Sequence, residues 1–338
     1  MDFSVLIPTH RRPDKLAACL ASLARQSFDP TRFEVLVGVD GPDTGEAAAA
    51  ARALPRARVF EFNHAGPAAT RNQVLERARG EFLLWLNDDV ALDPGCLAVH
   101  AAAHADLAEV GRDAMILGSA PWAIREPDRL FDRLLRETSM IFFYDRMDAD
   151  QPGSPDRDWG FRHAWTLNLS IRRSHAGAEP FDDTLPCACF EDLEWAWRQS
   201  TRRALPVLYR PRAVAIHDHR YEPVGYLARE RLLGREAFRL ALAAPDCARA
   251  IFNRDLTSPA ELRYALDFVE RERPAVAALE ESFQRLADLP ADALAAAHAP
   301  HLTRMLYEHH LPLKRWHWRT GLIEAAAGAP YAGSDASG

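Results

Sequence analysis

The stretch LLWLNDDV, residues 83–90, runs four apolar residues straight into Asn87, Asp88 and Asp89. The apolar run reads as a buried strand. Two carboxylates and a carboxamide at its end are costly to desolvate unless something uses them. Hard divalent cations such as magnesium or manganese prefer oxygen ligands, commonly one or two carboxylates completed by substrate phosphates. An acidic pair at one strand end is weak evidence alone, so the rest of the chain must supply its company.

The elements around that stretch follow a regular order. Residues 3–7 form a short apolar run ended by Pro8, and Leu16, Leu20 and Leu23 recur at helical spacing within 14–26. EVLVGVD (34–40) reads as a buried strand and stops at the turn Asp40-Gly41-Pro42. A mostly alanine helix (45–54), the alternating RVFEFN (58–63), a helix (66–79) and the strand 81–88 follow. Strands separated by helices of this length imply βαβ units and a largely parallel sheet. Ligands bind beyond the carboxyl ends of such strands. Here those ends carry Pro8-Thr9, Asp40, Asn63 and Asn87-Asp88-Asp89. Polar strand ends entering solvent are ordinary, which explains any one of these more easily than all four.

Further on come a helix (94–107), a strand (114–120), an irregular aromatic region (121–163), a strand (166–171), a helix (191–201) and two strands (204–209 and 212–217). Beyond Pro223 the pattern is helical only, and Ser258-Pro259-Ala260-Glu261 is a capping box with proline at the first helical position. The expected organisation is an α/β domain over 1–222 in two parts, 1–120 and 121–222. A helical region (223–330) and a disordered tail (331–338) complete it.

Bulk properties exclude several classes. The 338 residues carry a formal charge of -7 with no long basic run, which disfavours nucleic acid as a partner. Five scattered cysteines argue against a disulfide framework, and Cys187-Ala-Cys189 lacks the second pair that a zinc site needs. The N-terminus lacks the order of a signal peptide and no stretch reaches the length of a spanning helix, so the cytoplasm is the expected location. Peripheral attachment at the inner face of a membrane stays open.

Simple nucleotide-binding readings also fail. The turn after the first strand, Pro8-Thr9-His10-Arg11-Arg12-Pro13, has no glycine, so it is neither a dinucleotide-binding turn nor a P-loop. A site that neutralises a diphosphate with a metal instead of glycine-loop amides remains.

These segments together resemble glycosyltransferase family 2, which has the GT-A fold. VLIPTHRRPDKL is similar to that family's first strand and nucleotide loop, and VGVDGPDTG to its second strand, ending in the aspartate that meets the base. NHAGPAATRNQVLERARGEFLLWLNDDV is similar to its longest shared signature, ending in an Asp-x-Asp metal motif. TLNLSIRRS and FEDLEWAWR resemble the segment bearing the catalytic carboxylate, and AVAIHDHR a late metal-binding position. The pieces keep the family's order over 3–220. Asn87 departs from the motif, since its first position is normally an aspartate.

The resemblance implies an inverting, metal-dependent glycosyltransferase using magnesium or manganese. The expected donor is a UDP-sugar, and the acceptor a glycan, a lipid-linked saccharide or a small molecule. Pro8 and Thr9 would wall the nucleobase, Arg12 approach the nucleotide, Asp40 accept from the uracil imide, and Arg71 bind a donor phosphate or fix Asp88. Asn87 and Asp88 would lie near the sugar or ribose, with Asp89 as the metal ligand. His217, following an apolar run directly, is preferred over His219 as a further metal ligand. Asp192 would be the general base, with Glu191 supporting it or replacing it, although acidic residues suit a first helical turn by dipole alone. Trp159 and Trp165 are candidates for stacking on the acceptor, as is core packing for both. LKRWHWR (313–319) has the composition of a membrane-interface anchor and also of a helix packing its tryptophans on the catalytic domain. Two rivals stay open: a nucleotidyltransferase on a related sheet, and a non-catalytic sugar-nucleotide-binding protein.

Overall fold

The computed structural model describes residues 1–43, 45–138, 140–150, 156–291 and 299–329. The tail expected to be disordered, 331–338, lies outside the described residues. The chain divides into two compact units, one of Met1–Ala123 with Phe143–His219 and one of Ile124–Phe142 with Arg220–Gly338.

The chain runs β1 (Phe3–Thr9), α1 (Pro13–Ala24), β2 (Phe33–Asp40), α2 (Glu46–Ala50), β3 (Arg58–Phe62), α3 (Pro67–Leu75), β4 (Phe82–Leu86) and β5 (Val90–Leu92). It continues through α4 (Cys96–Glu109), β6 (Met115–Ser119), α5 (Leu130–Glu137), α6 (Tyr144–Asp150), β7 (Asn168–Arg172), α7 (Arg173–Ala178), α8 (Glu191–Arg203) and β8 (Val207–His217). All eight strands belong to the first unit and form one sheet in the order β3-β2-β1-β4-β7-β6-β8-β5.

Strands β1 to β4 are mutually parallel where they pair, as their helical crossovers require. Every residue of β2 is buried, as in a strand covered on both faces. The other half is mixed: β7 is antiparallel to β4 and β6, and β5 is antiparallel to β8. The single β8 replaces the two strands expected over 204–209 and 212–217. Its register against β6 jumps from Arg210 opposite Gly118 to Val214 opposite Ser119. Pro211 falls inside that jump, where no ladder N–H is required of it, so the sequence reads as a break although the strand continues.

Asn168 anchors this irregularity. Its Nδ2 donates to the carbonyls of Ser119 at 3.1 Å and Ala213 at 2.8 Å, and its Oδ1 lies 3.0 Å from His100 Nε2. Gly118 is required here, because a Cβ on it would stand 2.1 Å from Asn168 Nδ2.

The second unit holds α5 with α9 (Pro223–Ala243), α10 (Pro245–Phe252), α11 (Pro259–Ala287) and α12 (Ala299–Ala326). Ser258 caps α11, accepting from the Glu261 N–H at 3.2 Å. Helices α9 and α12 cross at glycines: a Cβ on Gly234 would meet the Trp318 carbonyl at 1.8 Å, and one on Gly321 the Arg231 carbonyl at 1.9 Å. In LKRWHWR, Trp316 donates to the Val269 carbonyl at 3.0 Å and Trp318 packs on Phe252, so both tryptophans are engaged within the helical unit. Among the described residues no helix is long and apolar enough to cross a membrane.

Candidate active site

Strand β4 ends at Leu86, and Asp88 and Asp89 form the turn into the three-residue β5. Val90 pairs with His217 across the β5–β8 ladder, and the Asp218 N–H donates to the Asp89 carbonyl at 2.7 Å. This register brings the end of β8 against the acidic turn. Asp89 Oδ2 then lies 3.6 Å from both His217 Nε2 and His219 Nδ1. The two histidines stand at equal distance, although His217 is the more buried and is stacked on Trp122. Lys15 of α1 ties down the following residue, reaching Asp218 Oδ2 at 2.5 Å and its carbonyl at 2.7 Å.

Asp88 is fully buried. Thr9 Oγ1 donates to its Oδ2 at 2.6 Å, and Arg12 Nη2 stands 2.6 Å from its Oδ1. Arg12 Nη1 also donates to Asp89 Oδ2 at 3.0 Å, so one guanidinium spans both carboxylates. Thr9 therefore spends its hydroxyl on Asp88, beside the half-buried Pro8 and Asn87. Burial pushes the Asp88 carboxyl up to about 6 against the pull of Arg12. Burial works the same way on Asp89, but His217, His219 and Arg12 outweigh it and hold Asp89 well below the usual carboxylate range.

These residues fit a divalent cation. Asp89 Oδ1 is buried with no hydrogen-bond partner, which is expensive for a carboxylate oxygen unless a ligand completes it. A carboxylate with neighbouring imidazoles is a donor set for manganese or zinc-like ions as well as magnesium.

The second acidic pair opens α8. Arg71 on α3 is buried and donates through Nη1 to Glu191 Oε1 at 2.8 Å; it does not pair with Asp88. The Cys189 N–H donates to Glu191 Oε2 at 2.9 Å, which occupies both Glu191 oxygens. Asp192 keeps partial exposure and receives the Leu193 N–H at 2.8 Å. Burial, reinforced by the Glu191 charge and opposed by Arg71, pushes its carboxyl up to about 7. Glu191 is thus held on both oxygens, while Asp192 accepts from the Leu193 N–H. The entry to α3 is equally constrained: Gly66 adopts φ +90°, and a Cβ there would meet the Pro186 carbonyl at 2.1 Å.

Asp40 at the end of β2 accepts from the Ala65 N–H at 2.8 Å and from the Gly66 N–H at 3.1 Å, and its Oδ2 lies 3.1 Å from His64 Nδ1. His10 Nδ1 lies 2.5 Å from the Asp40 carbonyl, and the His10 and His64 rings stack with centroids 4.8 Å apart. Neither histidine is an expected site residue. Their positions just past the first and third strand ends were the available signal.

Trp165 is buried against Tyr144, Phe143 and His163, with centroids at 4.9, 6.2 and 5.6 Å, and serves the core. Trp159 is half-buried under the Arg157 guanidinium, and its indole N–H has no hydrogen-bond partner. Cys187 and Cys189 are half-buried and not disulfide-bonded.

Residues 4–163 match glycosyl transferase family 2. The chain carries a glycosyl transferase family 2 domain. It is 35% identical over 94 residues to the poly(ribitol-phosphate) beta-N-acetylglucosaminyltransferase TarS of Staphylococcus aureus, a match of 26% of this chain and 16% of that protein. It is 34% identical over 109 residues to the uncharacterized glycosyltransferase YfnE of Bacillus subtilis, a match of 31% of this chain and 27% of that protein. The matched segments therefore span well under a third of either relative. The fold is that of S. aureus TarS 1-349 in complex with UDP, with TM-score 0.50, 20% identity and coverage of 98% of this chain and 93% of that one. It is also that of the mannosyltransferase PcManGT of Pyrobaculum calidifontis in complex with GDP-Man and Mn2+, with TM-score 0.51, 16% identity and coverage of 96% and 86%. The chain therefore has the GT-A fold.

Proposed function

We propose that the protein is a glycosyltransferase that moves a sugar from a UDP-sugar to an acceptor hydroxyl by a single inverting displacement with a divalent cation bound. The observation that carries the reading is the contrast at α8: Glu191 is held by Arg71, while its half-buried neighbour Asp192 has a carboxyl pushed up to about 7, suited to a general base. Asp192 takes the acceptor's proton as that oxygen bonds to the anomeric carbon. The bond to the diphosphate breaks with its electron pair leaving on UDP, and the anomeric configuration inverts. No covalent glycosyl-enzyme forms, unlike in retaining hydrolases.

Asp89, with His217 or His219, would hold the cation. When bound, a divalent cation neutralises the diphosphate leaving group. Arg12 and Thr9 keep Asp88 and Asp89 in place before donor arrives. Asp40 has a carboxylate's remaining acceptor capacity for the uracil imide once His64 gives way. The UDP assignment takes its precedent from TarS, whose structure holds UDP, and its chemistry from Asp40. Trp159, with its unpartnered indole N–H, is the aromatic we assign to the acceptor side. A glycan, lipid-linked saccharide or small molecule would fill that role. The nucleotide half over 1–120 and the acceptor half over 121–222 belong to the same reading.

Calorimetric titration with UDP, GDP and dTDP, with and without manganese and with an Asp89→Ala variant, tests it. UDP binding that needs both manganese and Asp89 is the expected result. Binding that ignores both removes the metal-dependent mechanism. Release of pyrophosphate from a nucleoside triphosphate, rather than UDP from a sugar donor, would make the protein a nucleotidyltransferase.

A further inference from the structure

We propose that His10, Asp40 and His64 form a second metal site, distinct from Asp89 and selective for an imidazole-seeking transition ion, zinc being the type case. Among the described residues this is the group of three His, Cys, Asp or Glu side chains whose ligand atoms all lie within 4.8 Å of one another. The three come from different parts of the chain: the loop after β1, the end of β2 and the loop after β3.

Three features mark a built site. His10 Nδ1 is turned to the Asp40 carbonyl at 2.5 Å. A metal-ligating histidine commonly donates its other ring N–H to a backbone carbonyl, which fixes the tautomer and leaves Nε2 as the ligand. Asp40 is buried, and the N–H groups of Ala65 and Gly66 hold its carboxylate at 2.8 and 3.1 Å, the orientation a ligating carboxylate needs. His64 Nδ1 stands 3.1 Å from Asp40 Oδ2. That is about the separation of two ligands at zinc bond lengths of roughly 2.0–2.2 Å around a tetrahedral ion. The stacked rings, with centroids 4.8 Å apart, suit two imidazoles adjacent on one centre. His64 is 59% exposed, so an ion can reach the site from solvent.

Two imidazoles and one carboxylate suit zinc, copper or nickel better than magnesium; Asp89 with His217 and His219 offers the same donor types, so the Asp89→Ala variant isolates this site. The consequence rests on the reading of Asp40 as the base-recognition residue: an ion here would occupy the uracil position, so zinc would compete with UDP. Metal binding itself does not depend on that reading.

Zinc titration of the full chain is the test, with His10→Ala, His64→Ala, His64→Cys and Asp89→Ala beside wild type. Cobalt, whose visible absorption reports tetrahedral coordination, serves as the spectroscopic probe. The proposal expects His10→Ala and His64→Ala each to lose about tenfold or more in zinc affinity, a ligand mattering at least as much as its supporting partners. It expects His64→Cys to retain zinc and shift the cobalt spectrum, and Asp89→Ala to keep the site. Zinc affinity and cobalt spectra unchanged in both alanine variants would overturn it, as would loss of the site in Asp89→Ala alone. UDP titrated with zinc present separates the two readings. Competition supports both, whereas zinc bound through His10 and His64 without competition keeps the metal site and removes Asp40 from base recognition.

Discussion

Two acidic pairs of adjacent residues, Asp88-Asp89 and Glu191-Asp192, each have an arginine, yet the arginines do opposite things. Arg12 spans both carboxylates of the first pair, and His217 and His219 face Asp89 from β8. That buried pair shares one guanidinium between two carboxylates. Arg71 takes one carboxylate of the second pair and leaves the other, so Glu191 is neutralised while Asp192 is held by backbone N–H groups, free for the base role proposed for it. Adjacency in sequence sets neither role. The partners brought in by the fold do, and a carboxylate becomes a ligand or a base according to what faces it.

The largest expected effect separates the pairs by function. Asp192→Asn should lower kcat about 10²–10⁴-fold while leaving UDP binding unchanged. Asp89→Asn should abolish the manganese dependence of UDP binding. If Asp192→Asn also loses UDP, measured by calorimetry, the division between the pairs is wrong.

The next effect is on stability. Arg71→Met strands a buried Glu191 and should cost about 3–5 kcal/mol in urea unfolding. Arg12→Met should also destabilise the metal-free protein, but manganese should restore it, because a bound ion takes over the charge. Manganese rescue of Arg71→Met, or its failure with Arg12→Met, would erase the contrast.

A smaller effect tests the charge coupling. The wild-type rate should rise with pH and level off above about 7, since Asp192 must be deprotonated to accept a proton. Glu191→Gln removes a neighbouring negative charge and leaves Arg71 uncompensated. Both changes move the inflection down, and an unmoved inflection in the pH–rate profile would assign it to another group.

The smallest expected loss lies outside the pairs. Asn168→Ala leaves the Ser119 and Ala213 carbonyls unpaired and should cost about 1–3 kcal/mol. It should also weaken manganese binding by loosening the approach of β8 to Asp89, which an isothermal titration would show.

The first four strand ends were readable because an apolar or alternating run stops at Pro8-Thr9, Asp40, Asn63 and Asn87 in turn, and Asp40, Asp88 and Asp89 sit at those stops. Strand β5 was not readable, since three residues carry no period. The choice between His217 and His219 therefore stayed a matter of proximity to an apolar run, and the structure places both at the same distance from Asp89. The Arg71–Glu191 pair joins residues 120 apart, which no local pattern reports. Thr9 was read as a wall for the base because it ends a strand; its hydroxyl on Asp88 follows from the pairing of β1 with β4. Trp165 shows the opposite limit: an aromatic before a strand looks the same in sequence whether it meets a sugar or the core.

The irregularity in β8 has a consequence for how this chain can change length. Three residues, 211–213, lie between the partners of Gly118 and Ser119. Side chains alternate faces along a strand, so parity upstream decides the side on which His217 emerges. Pro211 and Arg212 can be exchanged for other residues at modest cost. Deleting or inserting one residue there would turn His217 away from Asp89 with every nearby letter unchanged, whereas a change of two would return it. At this point the enzyme counts residues more strictly than it reads them.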